Sequence, residues 1–133
     1  NLLREDIFKD SNKKKQLELI IHPIVQEEIL EFISKSKSIY KIIMVPLIFE
    51  TNTQDFYDKI IVIDCEENYQ IERASARDDK TKEDIINIIK NQATREQRKS
   101  IADEVIYNNS TLENLRTQVI EVHQKLLGIN INE

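Results

Sequence analysis

Residues 59–64, with the sequence KIIVID, decide the fold class, because they form an apolar and β-branched run in which hydrophobic and polar positions do not alternate. Strands that are buried on both faces have this pattern, as in a parallel sheet covered by helices. A second run of the same kind, YKIIMV, occupies residues 40–45 and ends at Pro46. Roughly 14 residues connect the two runs, which is enough for a crossover with a short helix near residues 55–57. We therefore predict two buried parallel strands.

The segment before these runs has a helical pattern. We predict a short helix over residues 2–8 and a second one that starts at Ser11 or Asn12 and ends at His22. Pro23 separates the second helix from a third, because proline lacks an N–H group and displaces the preceding residue from the α region. The apolar residues of the third helix recur at helical spacing on one side, at Ile24, Val25, Ile29, Phe32 and Ile33.

Capping signals mark the helices that follow residue 64. The N-cap pairs are Thr81 with Asp84, Thr94 with Gln97, and Ser110 with Glu113. We predict helices at residues 67–77, 81–92, 94–102 and 110–127, with Gly128 after the last one, and a third short strand at residues 104–107. This order of elements is typical of an α/β fold with a parallel sheet. Three strands are few for such a sheet, so we expect neighbouring strands from upstream residues or a partner.

The composition excludes several classes of protein. The chain has 133 residues, the size of one domain, and its 40% hydrophobic and 32% charged residues are typical of a soluble globular protein. Its single glycine, Gly128, excludes a glycine-rich phosphate-binding loop within these residues. The chain starts at Asn1 without a methionine or a leader, so we expect it to be a piece of a longer protein.

Charge, cysteine content and hydropathy exclude further classes of partner. A net charge of −5 argues against broad nucleic-acid binding. The single cysteine, Cys65, excludes an internal disulfide and indicates a reducing compartment, so we expect a cytoplasmic protein. The longest apolar run, residues 42–49, is far shorter than the ~20 residues that span a membrane. We therefore expect neither nucleic acid nor membrane as a partner.

A basic cluster is the most informative functional feature. Residues 73–99 carry eight basic and five acidic side chains, and include four of the six arginines: Arg73, Arg77, Arg95 and Arg98. Arginine binds phosphate oxygens through two parallel hydrogen bonds. Two helices joined by the polar turn at residues 78–80 therefore suit a movable lid over a polyphosphate. The alternative is a solvated helical hairpin in which arginines such as Arg77 pair with neighbouring carboxylates.

Three other residues lie where a site would be expected. Glu50 follows the first predicted strand, and Asn108-Asn109 follow the third, at the sheet edge where open α/β sheets bind ligands. Glu50 could orient a substrate hydroxyl or a metal-bound water, or be a plain loop carboxylate. The two asparagines could contact a base or simply form a turn. His22, between two apolar helices, is more typical of a histidine bonded to the backbone than of a catalyst.

Several stretches combine into a family pattern that runs almost from end to end. They are LR and IF at residues 3–4 and 7–8, LIIHPI at 19–24, VPLIFE at 45–50, IVID at 61–64, QIER at 70–73 with ARD at 76–78, QATRE at 92–96, and ADEVI with NN at 102–106 and 108–109. In this order, they resemble the later two thirds of the dephospho-CoA kinase family, from the P-loop kinase superfamily. The resemblance implies part of a three-layer, P-loop-kinase-like α/β core with a parallel sheet, a helical substrate region and a helical lid.

The resemblance also implies an activity and a division of the chain. Family members transfer the γ-phosphoryl group of ATP, which is expected to come with Mg²⁺, to the 3′-hydroxyl of dephospho-CoA, the last step of coenzyme A biosynthesis. Residues 1–39 correspond to the helical region that receives the CoA moiety. Residues 40–72 and 101–133 correspond to the nucleotide-binding core, and residues 73–100 to the lid.

Individual residues receive roles by the same resemblance. Arg73 matches an arginine that meets the ATP phosphates and is the predicted catalytic residue. Arg77, of the Arg-Asp pair, Arg95 and Asn109, on the adenine side, are predicted to bind the nucleotide. His22 and Glu50 are predicted to bind the substrate, and no residue of the chain is predicted to bind a metal.

The chain departs from the family pattern in two ways. The Walker A loop and the acidic residue that follows it, part of an N-terminal segment of about 65 to 70 residues, have no counterpart here, and Tyr107 stands where the family usually has Asp. We therefore expect these 133 residues alone to be inactive. Two alternatives stay open: a non-catalytic helical interaction module derived from a P-loop kinase, or a kinase with another small-molecule acceptor.

Overall fold

The computed structural model describes residues 11–128, so the predicted helix over residues 2–8 lies outside the described residues. The chain divides into two compact units, Asn1–Met44 and Val45–Glu133. No helix of the described residues is both long and apolar enough to cross a membrane.

The described part of the first unit contains one continuous helix, α1 (Ser11–Lys35). The predicted break at His22-Pro23 is wrong, because Pro23 lies inside this helix. A proline removes one helical hydrogen bond, and although the residues next to Pro23 are mainly Ile and Val, strong helix formers dominate residues 13–19 and 26–31. Most of the apolar side chains on α1, such as Leu19, Leu30 and Phe32, are exposed.

The predicted strand over residues 40–45 is not formed. Residues 41–45 have no regular secondary structure, and the side chains of Ile42 and Met44 are exposed. A strand exists only where a neighbouring strand completes its hydrogen bonds, and no described segment pairs with this one.

The second unit contains the parallel sheet, as predicted. A 3₁₀ helix (Gln54–Phe56) stands near the predicted short helix, and β1 (Ile61–Asp64), α2 (Glu67–Asp78), α3 (Lys82–Lys90), α4 (Arg95–Ser100), β2 (Glu104–Tyr107) and α5 (Leu112–Leu126) follow. β1 and β2 are parallel, with Ile61 opposite Glu104 and Asp64 opposite Tyr107. The two carboxyl ends therefore lie side by side.

Helices pack against both strands and supply most of the small core, but they do not bury β1 on both faces as predicted, because Ile63 is 58% exposed and Asp64 is the one buried residue of that strand. α4 packs against β1, α5 against β2, and α2 against α3. The buried apolar side chains of the described residues are Ile85 of α3, Ala93 between α3 and α4, Ile106 of β2 and Val122 of α5. Asp79, in the left-handed conformation at φ +50°, ends α2 and turns the chain into α3.

The capping signals are confirmed at two of the three predicted N-termini. Thr81 accepts a hydrogen bond from the Asp84 N–H, and Thr94 forms the full capping box with Gln97. At the last helix the prediction was one residue early, because Thr111 and not Ser110 is the N-cap, and it accepts from the Asn114 N–H. Gly128, at φ +72°, follows the end of α5 as predicted.

Candidate functional site

Two loops meet where β1 and β2 end. The Cys65 thiol donates to the Asn108 carbonyl oxygen at 3.4 Å, and the Glu66 backbone N–H donates to Asn109 Oδ1 at 2.8 Å. Asn109, predicted at the adenine side, therefore ties the loop after β2 to the start of α2. These contacts form the floor of the candidate site at the carboxyl end of the sheet, where open α/β sheets bind ligands.

A paired arginine and aspartate lie at the end of β1. Arg95 Nε donates to Asp64 Oδ1 at 2.9 Å, and Arg95 Nη2 donates to Asp64 Oδ2 at 2.6 Å. The Asp64 side chain is 2% exposed and that of Arg95 30%. Hydrogen bonds from Arg95 hold the pKa of Asp64 below its ordinary value although burial opposes this, and the same pair raises the pKa of Arg95.

Arg73 lies against the same floor. Its Nη1 donates to the Asn108 carbonyl oxygen at 2.8 Å and lies 3.7 Å from Cys65 Sγ. Its guanidinium carbon is 5.5 Å from the centre of the Tyr69 ring, one helical turn earlier on α2. Arg73 is exposed, so donors that these contacts leave free are accessible to a ligand.

The hydrogen bonds of the Arg77 side chain do not reach the residues that form this floor. It pairs with the adjacent Asp78 through Nε at 2.7 Å and Nη2 at 3.0 Å, and its side chain is 77% exposed. This pair raises the pKa of Arg77 and lowers that of Asp78. Arg77 thus has the carboxylate pairing that the alternative to a phosphate-binding lid expects.

Glu50 contacts the junction between α3 and α4. Glu50 Oε1 accepts a hydrogen bond from the buried Ala93 N–H at 2.7 Å, and Arg98 Nη1 donates to the Ala93 carbonyl oxygen at 2.6 Å. The loop after Pro46 and the first turn of α4 are therefore both fixed to the same residue. Glu50 has one carboxylate oxygen bonded to the protein.

His22 lies in the other unit. It is an exposed residue in the middle of α1, not a residue at a junction between helices. The remaining predicted site residues, Glu50, Arg73, Arg77, Arg95 and Asn109, all belong to the second unit.

Asp64 is not among the site residues predicted from the sequence. It is the one buried charged side chain among the described residues, and it ends the apolar run of residues 59–64. A single carboxylate directly after such a run, at the carboxyl end of a strand, is the signal that could have identified it. The described residues contain no group of three or more His, Cys, Asp or Glu side chains placed to hold a metal ion.

Taken together, the site offers guanidinium groups beside two strand ends. Arg73 and Arg95 bring positive charge to the loops that follow β1 and β2, and each has N–H donors beyond those already bonded. Planar guanidinium groups in this position suit phosphate oxygens, which accept two parallel hydrogen bonds.

Comparisons with known proteins point to one family. Residues 1–114 match the family model described as dephospho-CoA kinase. The chain is 55% identical over 131 residues to the dephospho-CoA kinase of Gamma-proteobacterium EBAC31A08, covering 98% of this chain and 66% of that protein. It is 38% identical over 128 residues to the dephospho-CoA kinase of Photobacterium profundum, covering 96% and 64%.

Solved structures agree with these matches. A dephospho-CoA kinase from Campylobacter jejuni aligns with a TM-score of 0.64 at 26% identity, covering 94% of this chain and 63% of that chain. TT1252 from Thermus thermophilus aligns with a TM-score of 0.84 at 23% identity, covering 94% and 65%, and supports the fold alone. The predicted α/β fold class is confirmed. The chain spans slightly less than two thirds of the length of these relatives.

Proposed function

This chain belongs to the dephospho-CoA kinase family, and on that basis we propose that the protein transfers the γ-phosphoryl group of ATP to the 3′-hydroxyl of dephospho-CoA. In this reaction the 3′-oxygen forms a bond to the γ-phosphorus while the bond to the ADP oxygen breaks, and the hydroxyl proton leaves to a base. The products are ADP and coenzyme A. The observation that carries the proposal at the level of residues is that Arg73 bonds Asn108, directly after β2, and Arg95 bonds Asp64, the last residue of β1.

The arginines have the chemistry that phosphoryl transfer requires. Negative charge spreads over the γ-phosphoryl oxygens in the transition state, and nearby guanidinium groups stabilise it. We assign Arg73 to this role, because its guanidinium is exposed above the floor formed by Cys65 and Asn108. Arg95 contacts phosphates, and Asn109 contacts the nucleotide from the loop after β2.

Arg77 would reach the nucleotide by movement of the C-terminal end of α2 together with α3, while Arg73 and Arg95 keep their bonds at the strand ends. Its pair with Asp78 is exposed, and exposed pairs of this kind contribute little, so a polyphosphate can compete for the guanidinium. Residues 73–100 would then act as the lid, and the part of it between Arg73 and Arg95 would close over ATP. Residues 40–72 and 101–133 would form the nucleotide-binding core.

Two residues are proposed to bind the acceptor, dephospho-CoA. Glu50 would use the carboxylate oxygen that is not bonded to Ala93 to orient a group of the acceptor. His22 would belong to the region of residues 1–39 that receives the CoA moiety.

The phosphate cradle must come from residues outside these 133. A loop of the form G-x-x-x-x-G-K-[ST] needs two glycines, and the sequence contains one. Mg²⁺ would accompany ATP and neutralise the β- and γ-phosphates, with its protein ligands drawn mostly from the same outside segment. We therefore expect these residues alone to be inactive. We also propose a cytoplasmic protein, which the single, unpaired Cys65 supports.

The test is phosphoryl transfer by the protein as its gene encodes it. Radiolabelled γ-phosphate from ATP should appear in coenzyme A when dephospho-CoA is the acceptor, and not when dephospho-CoA is omitted. Nucleoside monophosphates serve as competing acceptors, and preferential labelling of one of them would reassign the acceptor. ATP binding without transfer to any of these acceptors would overturn the proposed activity. Appreciable turnover by the 133 residues alone would overturn the requirement for an outside phosphate loop.

A further inference from the structure

Asp64 is held in an energetically costly position. Its side chain is 2% exposed, at the last residue of β1, and a buried carboxylate is costly unless it is paired and hydrogen-bonded. Two hydrogen bonds from Arg95, of 2.9 and 2.6 Å, offset this cost. The other cations that act on the Asp64 carboxylate are Arg98 and Lys99 of α4, and the carboxylates that act on Arg95 are Glu66 and Glu96.

The two bonds fix the plane of the Arg95 guanidinium. Nε and Nη2 are each engaged with a different Asp64 oxygen, which leaves three of the five N–H donors of the group for other acceptors. The backbone of Arg95 is fixed as well, because it is the first residue of α4 and directly follows the Thr94 capping box. Both ends of this side chain are therefore held before any ligand arrives.

We propose that Asp64 is a positioning residue, which orients the Arg95 guanidinium at the carboxyl end of β1 so that its remaining N–H groups receive phosphate oxygens of the nucleotide. This inference rests on the proposed function, since it assumes that a nucleotide binds at this edge. Asp64 does not touch the ligand in this arrangement and acts only through Arg95. Because the Arg95 side chain is already oriented, it loses less conformational entropy when the nucleotide binds.

Ion pairs at the opposite end of the same strands provide a control. Lys125 Nζ lies 3.0 and 2.8 Å from the two carboxylate oxygens of Glu104, and this pair is more exposed than Asp64 with Arg95. A Glu104→Gln variant breaks an ion pair on β2 at the edge away from the proposed phosphate position. It should leave the kinetic parameters at their wild-type values.

The experiment is a double-mutant cycle in the protein as its gene encodes it, with Asp64→Asn, Arg95→Gln and the two combined. We expect each single variant to raise the KM for ATP roughly tenfold to a hundredfold, the range of a charged hydrogen bond, with a smaller change in the KM for dephospho-CoA. The double variant should be no worse than Arg95→Gln, because Asp64 acts through that residue. Arg95→Lys, which keeps the charge and loses the planar fork, should behave like Arg95→Gln.

Wild-type KM for ATP in a folded Asp64→Asn variant, or additive effects in the cycle, would overturn the inference. If Asp64→Asn does not fold, the Arg95→Lys variant decides: unchanged ATP affinity overturns the inference, and weakened ATP affinity supports it. The increase in Tm that ATP alone produces gives a second measure of nucleotide binding that needs no acceptor. Failure of the wild-type protein to phosphorylate dephospho-CoA would instead refute the proposed function, which keeps the two failures distinguishable.

Discussion

The side-chain amide of Gln118 binds both backbone hydrogen-bonding groups of Tyr107. The Tyr107 N–H donates to Gln118 Oε1 at 2.8 Å, and Gln118 Nε2 donates to the Tyr107 carbonyl oxygen at 2.9 Å. A neighbouring strand would bond a strand residue in the same way. One side chain of α5 therefore closes the edge of β2 at its last residue and removes a position at which another chain could pair.

Replacement of Gln118 should open this edge. We expect Gln118→Ala to lower the free energy of unfolding by about 1 to 3 kcal/mol, because it leaves two backbone groups of Tyr107 without their partner. Denaturant-induced unfolding measures the change. Gln124→Ala, in the same helix, is the matched control and should lie within about 0.5 kcal/mol of the wild type. Equal losses in the two variants would contradict the assigned role of Gln118.

The N-cap of α5 can be located by a pair of adjacent substitutions. Thr111 accepts a hydrogen bond from the Asn114 N–H at 3.2 Å, whereas the sequence favoured Ser110. Thr111→Ala should therefore cost about 1 kcal/mol of unfolding free energy, and Ser110→Ala should cost little. Thermal or denaturant unfolding of both variants shows which substitution lowers the unfolding free energy more. A larger loss for Ser110→Ala would move the cap back to the predicted residue.

The pair of Asp64 and Arg95 should make stability depend on acidic pH. The pKa of Asp64 is lowered in the folded state, so the folded protein binds this proton less tightly than the unfolded chain, whose aspartate pKa is about 3.9. The stabilising contribution is fully present above that value and is lost as the pH falls through the lower pKa of the folded state. Asp64→Asn should lower the unfolding free energy by about 2 to 3 kcal/mol near neutral pH.

Urea unfolding at several pH values from about 5 down to about 2, the range in which this contribution is lost, tests this dependence. The difference between the wild type and Asp64→Asn should shrink as the pH falls. Asp78→Asn is the control, because the pKa of Asp78 is also lowered but the pair with Arg77 is exposed, so its effect should be smaller throughout. A difference that stays constant with pH would show that Asp64 does not stabilise the fold through its charge.

Much of the second unit followed from local patterns in the sequence. The run at residues 59–64 predicted β1, and the Thr81 and Thr94 signals predicted where α3 and α4 begin. These features are local: a buried strand pattern and a side chain that bonds a backbone N–H three residues later. Such interactions need no knowledge of the rest of the fold.

Other features depended on partners that a local pattern does not contain. Residues 40–45 have the composition of a strand, but no described strand pairs with them. Pro23 predicted a break, but α1 continues through it, with strong helix formers at residues 13–19 and 26–31. The pairing of Arg95 with Asp64 joins residues 31 positions apart and follows from the path of the chain through α2 and α3, not from the spacing of the arginines.

Glu50 can be tested with two substitutions that separate its hydrogen bond from its charge. A glutamine at this position can still accept from the Ala93 N–H, whereas an alanine cannot. Glu50→Gln should therefore keep wild-type stability, and Glu50→Ala should lose about 1 kcal/mol. If the carboxylate also contacts the acceptor, as proposed, Glu50→Gln should lower kcat/KM for dephospho-CoA roughly tenfold to a hundredfold. Full activity in Glu50→Gln would contradict a contact between Glu50 and the acceptor, and would show that Glu50 acts only through its hydrogen bond to Ala93.

Arg73 is the residue on which the proposed chemistry depends most directly. If its guanidinium stabilises the charge that develops on the γ-phosphoryl group, Arg73→Gln should lower kcat by about 10²-fold or more, with a smaller effect on the KM for ATP. Arg73→Lys should recover only part of the rate, because an ammonium group lacks the planar fork that bonds the Asn108 carbonyl oxygen and a phosphate at the same time. Steady-state kinetics with the protein as its gene encodes it measures both constants.

The control for Arg73 is Arg116→Gln, an exposed arginine of α5 in the same unit. It removes the same charge from the protein but not from the strand ends, so it should leave kcat unchanged. Because Arg73 also bonds the Asn108 carbonyl oxygen, unfolding must be measured in parallel to separate a structural loss from a catalytic one. An Arg73→Gln protein that is folded and turns over at the wild-type rate would remove this guanidinium from the reaction and leave Arg95 as the arginine at the strand ends available to the phosphates.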